Sequence, residues 1–588
     1  MFNNIVPPIL HVINQKLAEM LGEIADMLEL EGEKYSRFEV LAYRKAAITI
    51  GGLQQDAEEM YRKGGPEALM ELPGIGKSIA GHIEEYIKTG KIAKYEKLKK
   101  KYKLDISGLT KIQGMGAKKA FKLYKKLGVK NIQDLKKALA QHRIRSMEGF
   151  GEQSEAQIQK GIDFLERSGG RMLLGTALPE AESIRDKLLA SGLVDKAMIC
   201  GSTRRMRETV GDLDILLQSG KGAAAMDYIT KMQEVESIIV KGPTKTSVRL
   251  AIGLNCDFRL VERESFGAAV QYFTGNKDHN VRLREIAIRK GYKLNEYGLF
   301  DKRNRNVVAG KGEEEIYDML GMDCMEPEMR ENRGEMALAQ RRELPKLVQL
   351  KDMAGDLHVH SKNSGDSSNS FEDIAAEMTK LGRGYAGVTD HSKSEYMNGG
   401  LDEKGYASVF AEIDRANDKL DGFTLLKSGE VDILKDGSLD INSKTLEEMD
   451  YVLAAVHSGL KDPKEKMTKR IVDTLNSGQV DILGHPTGRL INEREPLQAD
   501  MDSVFEAAKD NGVVMEINAQ PSRLDLNDEN IMKAKKYGLK FSIDTDAHRT
   551  SHFQYMRYGV GMAKRGWLRK EDVINTYDAK HALDLFRK

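Results

Sequence analysis

Hydrophobic and polar positions follow three different rhythms along this chain. From about Asn14 to Leu165, apolar residues recur at three- and four-residue spacing with only short glycine-containing breaks, which predicts a run of amphipathic helices. Short apolar runs then take over. Those holding Cys200 and Cys256, and Ile215-Leu216-Leu217, read as strands of a buried sheet. A charged, helix-like stretch from Met325 to Pro345 carries no motif and reads as a linker. Past it, apolar runs such as Tyr385–Thr389, Tyr451–Val456 and Gly512–Asn518 alternate with helix-like segments. That alternation predicts a βα barrel, whose functional side chains gather at the carboxyl ends of the strands.

Length and composition narrow the picture. A chain of 588 residues has room for several domains, and 40% hydrophobic with 31% charged residues fits a globular protein. The net charge of +1 leaves any nucleic-acid binding to local patches, such as the lysines from Lys91 to Lys103. Cys200, Cys256 and Cys324 are the three cysteines, far apart and without a CxxC pair. That argues against a disulfide framework or a thiolate zinc site and for a reducing compartment. No stretch is long enough to span a bilayer, and the start lacks a basic segment followed by a long apolar one. The expected location is therefore cytoplasmic and nucleoid-associated, with no membrane partner, and nothing in the sequence demands more than a monomer.

Candidate chemistry begins at Gly201-Ser202, followed by Arg204, Arg205 and Arg207, and then by Gly211, Asp212 and Asp214. Carboxylates at i and i+2 on a strand share one face, and Asp257 on a second apolar run can converge with them. Three clustered carboxylates repel one another unless divalent cations sit among them, and an oxygen-only cage suits Mg²⁺ or Mn²⁺. The Gly-Ser turn and the arginines supply amides and cations for phosphates. These are the parts of a two-metal phosphoryl-transfer site.

The arrangement resembles the nucleotidyltransferase palm of family X DNA polymerases, the DNA polymerase beta group. The resemblance implies that Asp212, Asp214 and Asp257 are catalytic and hold two Mg²⁺ (or Mn²⁺) ions, with Asp257 placed to help deprotonate the primer 3′-hydroxyl. It implies nucleotide contacts at Gly201, Ser202, Arg205 and Gly211, sugar selection by Tyr272, Phe273 and Gly275, a base contact at Asn280 and a template contact at Arg284. Lys277 stands where the family often has an acidic residue. In the helical third, Gly74-Ile75-Gly76-Lys77 and Gly114-Met115-Gly116 with Lys118 resemble helix-hairpin-helix turns, whose amides grip a DNA backbone phosphate. A third copy, Gly149-Phe150-Gly151, is followed by Glu152 where a basic residue would help. Tyr43 matches an aromatic position of the family's 5′-phosphate pocket. His82 holds the place of the Schiff-base lysine, and imidazole does not form a Schiff base as an amine does, which argues against lyase activity by the family route.

Eight of the twelve histidines lie after residue 350, beside Gly, Asp and Ser. His358 and His360 share one strand face, and mixed histidine and carboxylate ligands suit Zn²⁺, Mn²⁺ or Fe²⁺. This half resembles the PHP (polymerase and histidinol phosphatase) domain, in which nine residues bind up to three metals. The resemblance implies His358, His360, Asp366, His391, Glu430, His457, His485, Asp546 and His548 as the metal set. Asp366 is displaced by one residue from the family's usual Ser-Asp-Gly.

The expected fold is thus an α-helical helix-hairpin-helix N-terminal region, an α/β nucleotidyltransferase palm with a small thumb, and a C-terminal PHP-type distorted (β/α)7 barrel. Expected boundaries are 1–98 (helical DNA-binding domain), 99–165 (fingers-like), 166–265 (palm), 266–323 (thumb-like), 324–352 (linker) and 353–588 (PHP). The expected function is a DNA polymerase that fills short gaps in repair, acting on gapped or nicked DNA with a 5′-phosphate and on deoxynucleoside triphosphates. The PHP domain would add a 3′-5′ exonuclease or 3′-end phosphoesterase. Two rival readings are a DNA-end-processing phosphoesterase with an inactive polymerase half, and an active polymerase with a purely structural PHP domain.

Overall fold

The computed structural model describes residues 10–30, 37–51, 53, 56–102, 104–105, 108–109, 112, 115, 117–167 and 171–586. The chain divides into two compact units, one of residues 1–170 with 492–494, the other of 171–491 with 495–588.

From Leu10 to Arg167 the regular elements among the described residues are all helices, joined by short turns, as the three- and four-residue spacing predicts. Leu21, Ile24, Leu28, Tyr43, Ile79, Ile83, Leu98, Leu123, Leu135 and Ile158 contribute to one shared core. Burying each such side chain stabilises the unit by roughly 1.5–3 kcal/mol. Asp56 and Asn131 cap their helices by accepting from the amides of Glu58 and Asp134. On the helix Ala93–Tyr102, Tyr95, Leu98 and Tyr102 face the core while Lys97, Lys99, Lys100 and Lys101 are exposed.

The second unit opens with a five-stranded sheet: β1 (Lys196–Ile199), β2 (Asp212–Gln218), β3 (Val235–Lys241), β4 (Lys245–Leu250) and β5 (Asn255–Leu260). Its spatial order is β1-β2-β5-β4-β3, with β2 and β5 parallel and the other pairs antiparallel. Strict alternation on β2 buries Leu213 and Ile215 and turns Asp212 and Asp214 to the other face. A smaller lobe follows, with helices Phe266–Thr274 and Lys277–Arg289 and an antiparallel sheet of β6 (Tyr292–Asn295), β7 (Gly298–Asp301) and β8 (Val307–Ala309). Residues 324–352, expected as a linker, are closely packed. Met325, Met329 and Met336 are buried, and the fully buried Arg330 donates to the Met325 carbonyl and to Glu313 Oε1 at 2.5 Å.

The remainder forms the barrel, with parallel strands β9 (Gly355–Val359), β10 (Tyr385–Val388), β11 (Thr424–Lys427), β12 (Glu430–Asp432), β13 (Leu453–Ala455), β14 (Ile482–Leu483), β15 (Val514–Asn518) and β16 (Phe541–Asp544). β11 and β12 are two pieces of one chain direction separated by Ser428-Gly429, and a bridge between His391 and Glu430 joins β12 to the end of β10. The ring closes through a parallel bridge from Val359 to Ala547, where His360 N–H donates to the Ala547 carbonyl at 3.0 Å. Counting β11 and β12 as one stave gives seven, in agreement with the distorted barrel expected. One hydrophobic core runs from the five-stranded sheet (Leu213, Ile215, Phe258) into the barrel (Met515, Phe541, Ile543). Among the described residues, no helix is long and apolar enough to cross a membrane.

Candidate active sites

The register of the five-stranded sheet puts Asp214 directly beside Asp257, and Asp212 beside Asn255, on adjacent parallel strands. Their charges interact. Burial, and then the neighbouring Asp212 and Asp257 carboxylates, push Asp214 up to about 6. Burial also opposes ionisation of Asp257, but Lys245 Nζ at 2.8 Å and the Ser247 hydroxyl at 2.6 Å hold it below the usual carboxylate range. The Gly-Ser turn leads out of β1 into the short helix Gly201–Arg204. Gly201 sits at φ +65°, and a Cβ there would lie 2.7 Å from Asp214 Oδ2, so only glycine lets the turn approach the carboxylates this closely. A polar face carrying three carboxylates, with one pKa driven upward by burial and by the other two, suits divalent cations.

Several expected nucleotide contacts are engaged within the protein. Arg205 donates Nε to Glu331 Oε1 at 3.1 Å and Nη1 to the Thr274 carbonyl. Asn280 is buried, accepts from Gln271 Nε2 at 2.8 Å and donates to the Tyr272 carbonyl at 2.7 Å, so it fixes the end of the helix that presents Tyr272 and Phe273. Those two rings meet edge to face at 5.0 Å, half-buried, with the Arg259 guanidinium 4.6 Å over Phe273. Gly275 is at φ +71°, where a Cβ would stand 3.2 Å from Arg205 Nη1. Ser202 is half-buried on the short helix, and Gly211 lies exposed against Arg171, just before β2. Arg284 is half-buried on the helix Lys277–Arg289.

In the helical unit, Gly74 (φ +79°), Gly76 and Lys77 are exposed where the helix Lys77–Thr89 begins. Tyr43 is buried, with the His82 ring stacked 6.1 Å away and the Lys94 ammonium 4.8 Å over its ring. Gly114 and Gly116 lie outside the described residues; Lys118 lies on the helix Ala117–Leu127.

At the carboxyl ends of the barrel strands, all nine expected residues converge. Glu430 is their centre. Its Oε2 lies 2.8 Å from His391 Nδ1, 3.7 Å from His358 Nε2 and 3.6 Å from His360 Nε2. Its Oε1 lies 2.7 Å from His485 Nε2 and 3.1 Å from His457 Nε2. Asp546 Oδ1 is 3.6 Å from His358 Nε2 and 3.4 Å from His360 Nε2. Asp366, despite its displaced position in the sequence, is 3.3 Å from His391 Nε2 and 3.2 Å from His548 Nε2. Ligand atoms of three triads, His358/His360/Asp546, His391/Glu430/His457 and His360/His391/His548, lie within 4.8 Å of one another.

Proton affinities in the cluster split widely. Burial opposes the charge on His391, but Glu430 and Asp366 raise it to about 11, while burial and the neighbouring His548 and His391 lower His360 to about 3. Among the described residues, the Nε2 atoms of His358 and His360 are buried without a hydrogen-bond partner yet face carboxylate oxygens. Inward-facing imidazole nitrogens among shared carboxylates are the donor set that transition-metal ions take.

Comparison with known proteins bears on both sites. Residues 12–92 match the helix-hairpin-helix domain, 106–163 the SAM-like helix-hairpin-helix tandem, 269–331 the DNA polymerase beta thumb and 356–520 the PHP domain. The chain is 36% identical over 566 residues to the DNA polymerase/3′-5′ exonuclease PolX of Bacillus subtilis (strain 168), covering 96% of this chain and 97% of that protein. It belongs to the PolX family of DNA polymerases. Arabidopsis thaliana DNA polymerase lambda is 28% identical over 54% of this PolX chain and 62% of its own length. A probable phosphatase of Thermoanaerobacter sp. (strain X514) is 29% identical over 38% of this chain and 89% of its own. A solved structure of Leishmania infantum polymerase beta aligns to 38% of this chain and 97% of that one, at 25% identity and a TM-score of 0.26.

This PolX chain also contains positioning groups that the sequence reading did not assign. Glu516, fully buried on β15, pairs with His358 Nδ1 at 2.6 Å and also accepts the His485 amide. Asp432 stands 3.6 Å from His457 Nδ1, and Asp390 accepts from Ser361 and Ser364, whose hydroxyl meets His360 Nδ1 at 3.2 Å. Glu516 behind His358, Asp432 behind His457, and Asp390 acting through Ser364 behind His360 hold those three imidazoles in orientation. The only signal for them in the sequence is an acidic residue on an apolar strand, which many buried sheets carry.

Proposed function

We propose that this PolX chain fills short gaps in DNA by two-metal nucleotidyl transfer and trims or cleans primer 3′ ends at its PHP centre. The observation that carries the reading is the register that sets Asp212 and Asp214 on β2 against Asp257 on β5, directly under the Gly201-Ser202 turn. Asp212, Asp214 and Asp257 would hold Mg²⁺ or Mn²⁺, and the nine-residue cluster up to three Mn²⁺, Zn²⁺ or Fe²⁺ ions; such ions supply charge neutralisation and Lewis acidity toward phosphate esters. The chain's own residues do the positioning. Ser247 and Lys245 keep Asp257 ionised, so it can accept a proton from the primer 3′-hydroxyl. The Gly201-Ser202 turn and Arg205 meet the triphosphate, and the wall of Tyr272 and Phe273 at Gly275 disfavours a 2′-hydroxyl. Arg284 contacts the template strand.

Exposed Gly74, Gly76 and Lys77 hold a backbone phosphate of DNA, and Tyr43, with the Lys94 ammonium over its ring, is part of a 5′-phosphate pocket. At the barrel mouth, Glu430 lies between His391 on one side and His485 on the other, and the set around it would hold ions that bind and activate a phosphoester. The sheet site is built from carboxylates alone and the barrel site from histidines with carboxylates, so the two are read as separate centres. The enzyme works as a monomer on gapped or nicked DNA with a 5′-phosphate.

The test uses a 5′-labelled primer on a one-nucleotide-gapped duplex with Mn²⁺, with and without deoxynucleoside triphosphates. Extension by one step with nucleotides and shortening without them supports both sites. Shortening in both conditions overturns the polymerase assignment, and extension with no shortening overturns the exonuclease assignment.

A further inference from the structure

The segment joining the Gly-Ser turn to the catalytic aspartates is held from the PHP side. Arg565, at the end of the barrel helix Met556–Arg565, is 1% exposed. Its Nη1 donates to the backbone carbonyl of Arg205 and to Glu331 Oε1, both at 2.8 Å. Glu331 Oε1 is the same atom that accepts Arg205 Nε at 3.1 Å. The second terminal nitrogen of Arg565, Nη2, reaches Asp528 at 2.5 Å, and Asp528 is itself paired with Arg333 at 3.0 Å. One turn back on the same helix, a Cβ on Gly561 would lie 2.7 Å from Met206 Cε, so the missing side chain makes the seat for Met206. Arg489, from the barrel, closes the series on Glu208 at 2.6 Å.

Three of the four residues from Arg205 to Glu208 are therefore gripped by the barrel, and β2 with its aspartates begins at Asp212, just after the two-residue strand Thr209–Val210. Arg205 is committed through Nε and Nη1; its Nη2 makes no hydrogen bond among the described residues and is the nitrogen left to meet an anion. The Nε–Glu331 bond fixes the plane of the guanidinium and so the direction of Nη2. Glu331 in turn is fixed by Arg565. A buried charge pair with good geometry holds direction well, because each partner would otherwise be left uncompensated.

We infer that Arg565 is a positioning residue for nucleotide binding: through Glu331 and the Arg205 carbonyl, the PHP barrel sets the guanidinium that receives the triphosphate. The inference rests on the reading of Arg205 as a triphosphate contact. It gives the barrel a part in polymerisation that is independent of its own hydrolysis.

The test is steady-state gap filling by the full chain with three variants, R565M, R565K and R205A, with Mn²⁺-dependent 3′-end shortening measured on the same preparations. R565M should raise the KM for the deoxynucleotide at least about tenfold, equivalent to about 1.4 kcal/mol, while kcat and primer shortening stay close to wild type. R565K, which keeps one charged donor for Glu331, should recover part of the loss. R205A should raise KM at least as much. If R205A raises KM and R565M does not, with shortening intact in both, the inference is overturned and the triphosphate reading stands. If R205A leaves KM unchanged, that reading falls first. Unchanged shortening by R565M shows that the barrel is folded; lost shortening with unchanged KM also overturns the inference.

Discussion

Gly201→Ala tests how closely the phosphate-binding turn and the catalytic carboxylates are built together. Two costs follow from the structure. An alanine at φ +65° costs about 1–2 kcal/mol in the left-handed region. Its Cβ would lie 2.7 Å from Asp214 Oδ2, and restoring ordinary contact moves one of them by roughly half an ångström or more. Asp214 has little room to yield, because its strand is paired on both sides and the Cys200 amide donates to its carbonyl at 2.8 Å. The turn or the carboxylate must shift, and misplacement on the scale of an ångström costs about a hundredfold in rate. We therefore expect single-turnover extension to fall about ten- to hundredfold, with melting lowered by only a few degrees and 3′-end shortening unchanged. Gly220→Ala, on an exposed turn with nothing within 4 Å, is the control and should match wild type. The assay is single-turnover extension of a labelled primer under saturating nucleotide, which reads the chemical step. An alanine variant within about twofold of wild type, less than 0.5 kcal/mol of barrier, would refute the argument that this turn positions Asp214.

Other substitutions probe the supporting residues. Glu516→Gln removes the carboxylate behind His358 Nδ1, so half-maximal Mn²⁺ for primer shortening should rise about 10–100-fold while extension is unchanged. Asn280→Ala leaves buried Gln271 without its acceptor and frees the Tyr272 carbonyl, which should cost about 1–3 kcal/mol of stability by denaturant unfolding. Discrimination against ribonucleotides should fall in the same variant. Burial raises Cys200 to about 12 and Cys256 well above the usual thiol range, so neither should be alkylated by iodoacetamide at neutral pH in the folded protein, as read by peptide mass spectrometry.

The parts legible in the sequence were those whose chemistry is local. Asp212 and Asp214 share a strand face by spacing alone, and His358 and His360 do the same. The helical third, the seven-staved barrel and the family followed from periodicity and motifs. What stayed hidden depends on long-range partners. Glu516 meets His358 across 158 positions, and Arg205 meets Glu331 across 126. No spacing rule connects such residues. Residues 324–352 read as a linker because their charges are many, yet Arg330 and Glu335 are buried by pairing with Glu313 and His279. Paired charges look polar in sequence and behave as core in the fold. Asp366 shows the reverse case. One displaced residue breaks a motif on paper, while a loop still delivers the carboxylate to His391 and His548.

The most direct test of two separate active sites on one chain is a crossed comparison of Asp257→Asn and Glu430→Gln on the gapped, 5′-labelled primer in Mn²⁺. The two-site arrangement predicts that Asp257→Asn abolishes extension and keeps 3′-end shortening, while Glu430→Gln abolishes shortening and keeps extension. Extension surviving in Asp257→Asn, or both activities lost together in Glu430→Gln with an unchanged melting profile, would contradict it.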